Sequence, residues 1–276
     1  MTNEEQIKET VRQKYSEIAV QDKETASCCS QGSCSPEVYN MMNENYNHLD
    51  GYNPDADLGL GCGLPTQFAK IKKGDTVIDL GSGAGNDCFV ARAETGEAGK
   101  VIGIDFTPEM IKKARINAEK KGYNNVEFRQ GDIEKIPVTA AAADVIVSNC
   151  VLNLVPNKKA VFKEIYRVLK PGGHFCISDV VLTDELPDKL KEAAEMYAGC
   201  VAGASHKNKY IVDIYSAGFL KVKIEKEKNI IIPNEILSNY LETDELENFK
   251  KENPILSITV TGLKPSNDCN CNPGCC

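Results

Sequence analysis

The sequence lacks tryptophan altogether and has only three histidines, and in 276 residues no apolar run approaches the roughly 20 that span a bilayer. It also lacks a basic excess: the formal net charge is −8, whereas nucleic acids and anionic membranes call for a basic face. The N-terminal stretch MTNEEQIKETVRQ is polar and acidic, unlike a secretory leader. We therefore expect a cytoplasmic protein with no nucleic-acid or membrane partner.

Cysteine, by contrast, is abundant, with twelve in the chain. In a small secreted domain this number would indicate a disulfide framework, but a chain of this length with no recognisable leader needs no covalent staples. Reduced thiols that bind a metal or take part in catalysis are the better interpretation. Three cysteines lie in CCSQGSC, four lie in CNCNPGCC, and the other five are isolated: Cys62, Cys88, Cys150, Cys176 and Cys200.

The middle of the chain alternates strand and helix patterns. Apolar runs such as TVIDLG, KVIGIDF and ADVIVSN predict buried strands, and TPEMIKKARINAEKKG and NKKAVFKEIYRVLK predict helices between them. This alternation indicates an α/β fold with a mostly parallel, doubly wound sheet. Apolar residues at helical spacing also predict an amphipathic helix over residues 3–20.

These changes along the chain predict four parts. Residues 1–74 are expected to form an N-terminal helical segment that bears cysteines, and 75–184 a Rossmann-like α/β domain. Residues 185–265, where the pattern loosens, are expected to form a smaller C-terminal α+β region that helps to bind substrate. Residues 266–276 have no apolar periodicity and are expected to be a flexible, cysteine-rich tail.

The segment VIDLGSGAGND places Gly81, Gly83 and Gly85 between a strand and a helix. Glycines in this context let the backbone turn closely around a ligand. Asp105 ends the next strand, 20 residues after Gly85, where a carboxylate accepts hydrogen bonds from ribose hydroxyls. Asp132 follows the third strand and is placed to meet the amino group of an adenine.

A dinucleotide is the competing ligand for such a loop. It needs a pyrophosphate cradle at an open helix N-terminus, and Asp79, just before the first glycine, would repel a pyrophosphate. The same carboxylate suits a cation. S-adenosylmethionine, with its sulfonium and α-ammonium groups, meets that requirement.

Together, VIDLGSGAGND, IDFTPEM, GDIEKIP and RVLKPGGHF resemble the class I S-adenosylmethionine-dependent methyltransferases over about residues 75–181. The resemblance implies a Rossmann-like fold with S-adenosylmethionine as methyl donor. It also implies a set of residues along the methionine end of the donor, namely Asp79, Gly81, Ser82, Gly83 and Gly85. A second set would border the ribose and adenine: Asp105, Met110 (or its neighbour Thr107), Asp132 and Ile133.

Cys150, in SNCVLNLV, directly follows the fourth strand, a position that overlooks the ligand crevice of an open α/β sheet. An oxygen or nitrogen acceptor usually needs a base to remove its proton, and the chain offers few histidines for that role. A thiolate instead binds soft, thiophilic centres. Trivalent arsenic binds several thiolates, keeps a lone pair and has no proton to lose.

Four further segments, GLGCGLP, VSNCVLNLVPNKKAV, RVLKPGGHFCISDV and YAGCVAGA, resemble the arsenite methyltransferase family over roughly residues 34–205. The resemblance implies methyl transfer to thiol-bound As(III), which Cys150 and Cys200 hold with Cys62 beside them. It implies that Cys62 and Cys34 take part in thiol exchange and redox turnover, with thioredoxin or glutathione as the reductant. Within the N-terminal cluster, Cys28 or Cys29 could take the place of Cys34.

Other functions remain open from the sequence. A small-molecule C- or O-methyltransferase would need a base near the methyl group and would give Cys150 no role, and a thiolate metal-binding protein would bind metal without S-adenosylmethionine. Cys88 and Cys176 are expected to be small buried hydrophobes. The tail CNCNPGCC fits a zinc site, a metal trap or an arm that delivers arsenite. A monomer is expected; the number of methyl groups added is left undetermined.

Overall fold

The computed structural model describes residues 3–20, 44–192 and 200–266, so Cys34 and the other cysteines of CCSQGSC and CNCNPGCC lie outside it. The helices are α1 (Asn3–Val20), α2 (Pro65–Phe68), α3 (Asn86–Thr95), α4 (Pro108–Lys120), α5 (Lys158–Val168), α6 (Asp188–Glu192), α7 (Lys207–Ser216), α8 (Asn234–Leu237) and α9 (Thr243–Glu252). The strands are β1 (Thr76–Leu80), β2 (Lys100–Asp105), β3 (Val126–Gln130), β4 (Ala143–Asn149), β5 (Leu169–Leu182), β6 (Ser205–His206), β7 (Leu220–Asn229) and β8 (Ile255–Leu263). Within these ranges no helix is both long and apolar enough to cross a membrane.

The described strands form one sheet in the order β3-β2-β1-β4-β5-β8-β7, and the short β6 pairs with the end of β5. Strands β1 to β5 pair in parallel, whereas β8 runs antiparallel to β5 and β7 antiparallel to β8. The predicted, mostly parallel sheet and the N-terminal helix over residues 3–20 are confirmed. The last two strands, beyond residue 184, extend this same sheet.

Helices cover both faces of the sheet, which explains why its strands are near-continuous runs of Val and Ile. Val77 packs on the side of α3 and α4, and the next residue, Ile78, packs on the side of α5 and α7, because successive side chains of a strand point to opposite faces. Cys88 and Cys176 are fully buried in the first of these two cores, as expected for small hydrophobes.

Two local features differ from expectation. Helix α9 has few apolar residues and was not predicted; a capping box between Glu242 and Glu245, an acidic first turn and a basic last turn support it instead. Thr107 occupies the position before α4, with Pro108 first in the helix, but its hydroxyl makes no capping bond. That hydroxyl is buried without a partner among the described residues.

The order of the strands creates a crevice between β1 and β4. Chain connections leave β1 toward β2 on one side, and β4 continues toward β5 on the other, so the carboxyl ends of β1 and β4 mark a topological switch point. The glycine loop follows β1 and Cys150 follows β4. The fold therefore brings two segments about 70 residues apart in sequence to one edge of the sheet.

The close packing of α3 on the sheet gives a stability prediction at Gly103. A Cβ atom there would lie 2.6 Å from the ring of Phe128 and 2.8 Å from Sγ of Cys88. We expect Gly103→Ala to lower the free energy of unfolding in urea by about 1–3 kcal/mol through overpacking. In a Phe128→Leu background the same substitution should cost less; equal costs in both backgrounds would contradict the assigned clash.

Candidate active site

A cleft with a volume of about 1040 Å³ lies at the switch point. Its walls come from the glycine loop, the ends of β2 and β4, the segment before α2, and helix α1. Five aspartates line the cleft, and one basic residue, Lys8, is among its described lining residues. The aspartates are Asp57, Asp79, Asp87, Asp105 and Asp132. A cleft with this charge suits a cationic ligand.

The glycine loop forms the floor of the cleft and is tied to β2. The backbone N–H groups of Gly81 and Ser82 both donate to the carbonyl of Ile104, at 2.8 and 2.9 Å. Gly81 has a φ of 70°, and a Cβ atom there would lie 2.3 Å from Val151. Only glycine lets the loop pass this close to the segment after Cys150. The hydroxyl of Ser82, buried in the cleft wall, has no partner among the described residues.

Asp105 lies where the sequence predicted an acid at the end of β2. Its Oδ2 accepts a hydrogen bond from the N–H of Gly83 at 2.9 Å, and its Oδ1 accepts one from the N–H of Thr107 at 2.8 Å. Burial raises the pKa of this carboxyl, and these backbone donors oppose the rise. The carboxyl is thereby held in a fixed orientation with lone pairs left over for a ligand.

The opposite end of the cleft is closed by α1. Asp132 accepts a hydrogen bond from the N–H of Glu134 at 2.8 Å, and Lys8 of α1 lies 2.6 Å from its Oδ2. Lys8 also pairs with Glu134. Ile133 and Tyr15 line the cleft beside them. Neither Lys8 nor Tyr15 was predicted, because nothing in a polar amphipathic helix indicates which side of a distant cleft it will cover.

Two carboxyls lie close together beneath the glycine loop. Burial, followed by the nearby charge of Asp87, raises the pKa of Asp79 well above its ordinary value. Burial also raises the pKa of Asp87 from 3.8 to about 6, although hydrogen bonds from Asn149 and Tyr46 oppose the rise. The Tyr46 hydroxyl lies 3.0 Å from Asp87 and the Asn149 amide nitrogen 3.2 Å from it. Two such carboxyls suit an ammonium group.

Most of the predicted donor-site residues line this cleft, but two do not. Asp79, Gly81, Ser82, Gly83, Asp105, Asp132 and Ile133 all contribute to its surface. Met110 is instead fully buried in α4, and the alternative, Thr107, takes its place at the cleft. Gly85 lies behind the loop, where a Cβ atom would come within 2.8 Å of Phe128. Asp57 and Asp87 also line the cleft and were missed, although Asp87 is part of the quoted glycine motif.

Three of the predicted cysteines meet behind the cleft. Cys62, Cys150 and Cys200 belong to one buried cluster and are each at most 2% exposed, and none is in a disulfide. Cys150 lines the cleft, and the other two thiols lie behind it. The Cys200 thiol donates to the carbonyl of Cys150 at 2.8 Å. Cys150 and Cys200 both have a positive φ, 59° and 64°, which is uncommon outside glycine and asparagine.

The surroundings of Cys62 and Cys150 favour the neutral form of their thiols. Hydrogen bonds with the Cys200 and Cys62 thiols, together with burial, raise the pKa of Cys150 well above its ordinary value. Burial is the main cause of the raised pKa of Cys62. At neutral pH these two cysteines are therefore thiols rather than thiolates.

A buried polar group sits behind the thiols on β5. Asp179 is fully buried, and burial raises its pKa from 3.8 to about 7, although the charge of Lys158 and two hydrogen bonds oppose the rise. The donors of those bonds are the Tyr210 hydroxyl, at 3.2 Å, and the N–H of Val180, at 3.0 Å. Lys158 also donates to the carbonyl of Gly203 at 2.7 Å. The sequence offered no sign of this group, because it joins three distant segments.

With this geometry in place, the comparisons with known proteins identify the class. A family model described as a methyltransferase domain matches residues 71–232, more than half of the chain. The sheet order and the glycine loop agree with it, so the protein has the class I methyltransferase fold.

The more particular family follows from individual relatives. The chain is 41% identical to an arsenite methyltransferase of Halobacterium salinarum over 96% of its own length and 68% of that protein. It is 36% identical to the human arsenite methyltransferase, over 66% of this chain and 50% of that one. The crystal structure of an arsenic(III) S-adenosylmethionine methyltransferase from Chlamydomonas reinhardtii superposes with a TM-score of 0.64 at 29% identity, covering 94% of this chain and 74% of that one. The chain belongs to the arsenite methyltransferase family.

The buried carboxyl of Asp179 gives a prediction about stability and pH. Because its folded pKa of about 7 exceeds 3.8, the folded state holds a proton that the unfolded state releases first, and stability falls as pH rises from about 4 through about 7. We expect Asp179→Asn, which carries no charge, to remove up to about 3 kcal/mol of this loss between about pH 5 and about pH 8. Urea unfolding at several pH values measures it.

The matched control is the neighbouring Ser178→Ala, which removes the buried hydrogen bond to Thr259 but nothing that titrates. It should lower stability by the same amount at every pH. Parallel stability-against-pH curves for Asp179→Asn and the unsubstituted protein would contradict the assignment.

Proposed function

We propose that the protein is an arsenite methyltransferase, which transfers a methyl group from S-adenosylmethionine to As(III) held by its own thiols and so detoxifies arsenic. The observation that carries the proposal is the position of Cys150: this residue lines the acidic cleft, and its thiol interacts with two further buried thiols, Cys62 and Cys200. The family membership supports the same reaction.

The cleft fits the donor on several independent points. Ser82, whose hydroxyl has no partner among the described residues, and Thr107 both line it, Asp105 presents an oriented carboxylate for ribose hydroxyls, and Asp79 and Asp87 suit an ammonium. Thr107 thus replaces Met110 in the proposed donor set, and Gly85 supports the loop from behind. Asp132 and Ile133 would border the adenine, beside Lys8. When bound, S-adenosylmethionine supplies an electrophilic sulfonium methyl group.

The three thiols suit a trivalent arsenic substrate. In loading, three As–O bonds of As(OH)₃ break and three As–S bonds form, and each thiol proton leaves with a hydroxyl as water, so no separate base is required. Within the described ranges, no group of three or more His, Cys, Asp or Glu is arranged to hold a metal ion as it stands. Arsenic would therefore enter by exchange at Cys62, Cys150 and Cys200 rather than settle into a ready-made metal cage.

The surroundings of Cys150 are less suited to an organic acceptor. A carbon or oxygen acceptor needs a base near the methyl group, most often a histidine or a carboxylate, and we assign the carboxyls of the cleft to the donor. The three histidines, His48, His174 and His206, all lie in the described ranges, and none of them lines the cleft. As(III) keeps a lone pair and loses no proton, so positioning it against the donor is the main task of the protein.

Turnover needs a source of electrons, because each transfer formally oxidises As(III) to As(V). A thiol that attacks the sulfur of an arsenic-bound cysteine forms an S–S bond, breaks the As–S bond, releases its own proton and leaves two electrons with arsenic; a thioredoxin- or glutathione-type thiol can then reopen the disulfide. We assign this role to Cys62 and to a cysteine of the N-terminal cluster, for which Cys34 is the preferred candidate. That cluster lies outside the described residues. Free thiols persist in a reducing compartment, so we place this monomeric enzyme in the cytoplasm.

The first test is a methylation assay with a cysteine series. Incubation with arsenite, S-adenosylmethionine and a thiol reductant should yield methylated arsenic species, separated by chromatography. Cys150→Ser and Cys200→Ser should reduce the rate at least about a hundredfold, because serine is a hard ligand with little affinity for arsenic. S-adenosylmethionine binding, measured by calorimetry, should change less than about twofold.

The control for this series is Cys176→Ala, which removes a buried thiol in another core and should retain activity. Normal methylation by either Cys150→Ser or Cys200→Ser would refute the substrate site. If even the unsubstituted protein yields no methylated arsenic, the acceptor is wrong and the search turns to small organic nucleophiles.

The cleft carboxyls give a prediction about pH. Asp87, with a pKa of about 6, becomes an anion as pH rises through that value, and an anion attracts the α-ammonium of the donor. We expect S-adenosylmethionine affinity, measured by calorimetry, to rise several-fold between about pH 5 and about pH 7.5. Asp87→Asn should bind more weakly at the upper pH and flatten the dependence. An unchanged profile in Asp87→Asn would show that another group titrates.

A further inference from the structure

Two asparagines flank Cys150 in the segment SNCVLN, Asn149 one residue before it and Asn153 three residues after it. The side-chain amide of each asparagine forms a hydrogen bond with the backbone of a cysteine that is distant in the sequence, and the two cysteines differ. One short segment therefore supplies a thiol and also contacts the main chain of the two other thiol-bearing segments.

Asn153 holds the segment of Cys200. Its side chain is fully buried, and its amide nitrogen donates to the carbonyl of Cys200 at 3.1 Å and to the carbonyl of Val180, on β5, at 2.7 Å. Both neighbours are carbonyl oxygens, which only accept, so the nitrogen rather than the oxygen must face them. The amide oxygen has no partner among the described residues. A side chain that leaves its acceptor unused is placed there for its two donors.

Asn149 contacts the backbone of Cys62 through its amide oxygen, whereas Asn153 contacts that of Cys200 through its amide nitrogen. Its amide oxygen accepts a hydrogen bond from the N–H of Cys62 at 3.0 Å, and its amide nitrogen donates to the carbonyl of Gly63 at 2.8 Å. Gly61, on the other side of Cys62, lies so close that a Cβ atom there would be 2.6 Å from this amide. The loop that carries Cys62 is thus seated directly on the Asn149 side chain.

These contacts matter because none of the three site cysteines lies within a described helix or strand. Cys62 lies outside the described helices and strands, and Cys200 begins the described part of the chain after residue 192 with a φ of 64°. Cys150 has a φ of 59°. Backbone in this region is strained for a residue with a side chain and persists when neighbouring contacts hold it.

We propose that Asn149 and Asn153 are positioning residues that set the distances from the Cys150 thiol to its two partners, Asn149 for Cys62 and Asn153 for Cys200. This deepens the proposed function, on which it rests, by naming the groups that make three dispersed cysteines into one arsenic site. Neither asparagine touches the reacting atoms through its amide; each acts through the backbone of a cysteine.

The test uses phenylarsine oxide, which bridges two thiols with loss of one water, and calorimetry to measure its dissociation constant. The cysteines of CCSQGSC and CNCNPGCC are replaced by serine in the whole chain, so that they do not compete with the site thiols for phenylarsine oxide. Cys62→Ser then leaves the pair Cys150 and Cys200, and Cys200→Ser leaves the pair Cys62 and Cys150.

The expected result is a crossover between these two backgrounds. Asn153→Ala should weaken phenylarsine oxide binding about tenfold when the pair is Cys150 and Cys200, and less than about twofold when it is Cys62 and Cys150. Asn149→Ala should show the reverse. If Asn153→Ala fails to fold, Asn153→Asp, which keeps the size but turns an acceptor toward two carbonyls, should give the same pattern.

The matched control is Asn157→Ala, in the same stretch of chain. Asn157 caps α5 by accepting from the N–H of Ala160 at 3.0 Å and contacts no cysteine, so its loss should lower the melting temperature and leave both dissociation constants unchanged. Equal weakening in both backgrounds, no weakening, or an equal effect of Asn157→Ala would each overturn the proposal.

Because phenylarsine oxide binding needs no methyl donor, the crossover is independent of turnover. An absent crossover in a protein that still methylates arsenite would remove the positioning role alone. An unsubstituted protein that fails to methylate arsenite would instead remove the proposed function.

Discussion

The site depends on the parallel pairing of β1 with β4. Residues Val77 to Leu80 lie in register with Val145 to Ser148, so the two strands end together and release the glycine loop and Cys150 at one edge. The absent Cβ of Gly81, which lets the loop pass against Val151, keeps the two segments in contact. The fold thereby brings the proposed donor and acceptor sites side by side, and proximity of this kind is a large part of catalysis for a reaction that needs no proton transfer.

Burial raises the pKa of two kinds of group at this site, the carboxyls of the cleft and the cysteine thiols. In the cleft it raises the pKa of Asp79 and Asp87, so that a cationic ligand gains by restoring their charge. On the thiol side, burial of Cys62 and, for Cys150, hydrogen bonds with the neighbouring thiols together with burial keep both side chains as thiols until a thiophilic centre displaces their protons. Asp87, with a pKa of about 6, is an anion at neutral pH, so the cleft offers charge to a cation while the thiols stay neutral until arsenic binds.

Much of this could be predicted because it rests on local patterns. Apolar runs bounded by glycines indicated the parallel strands, and the spacing of Gly81, Gly83, Gly85 and Asp105 indicated a nucleoside-like ligand. The resemblance offered Met110 or its neighbour Thr107; Met110 is fully buried in α4 and Thr107 lines the cleft, a choice that the sequence motif leaves open. Lys8 and Asp57 line the cleft without any local motif for that role, whereas Asp87 belongs to the glycine motif and was overlooked.

The sequence by itself determined the class of fold, the glycine loop with its acids, and the chemical type of the site, because strand periodicity, turn residues and soft thiols are properties of short segments. The family resemblance named Cys62, Cys150 and Cys200, but only the tertiary structure brings them into one buried cluster, since they come from three separate segments whose distances depend on packing. It also decided that Asn149 and Asn153 reach the backbones of the two distant cysteines. Hydrogen bonds between residues far apart in the chain leave no periodicity to detect, so they become visible only when the sheet and its connecting segments are assembled.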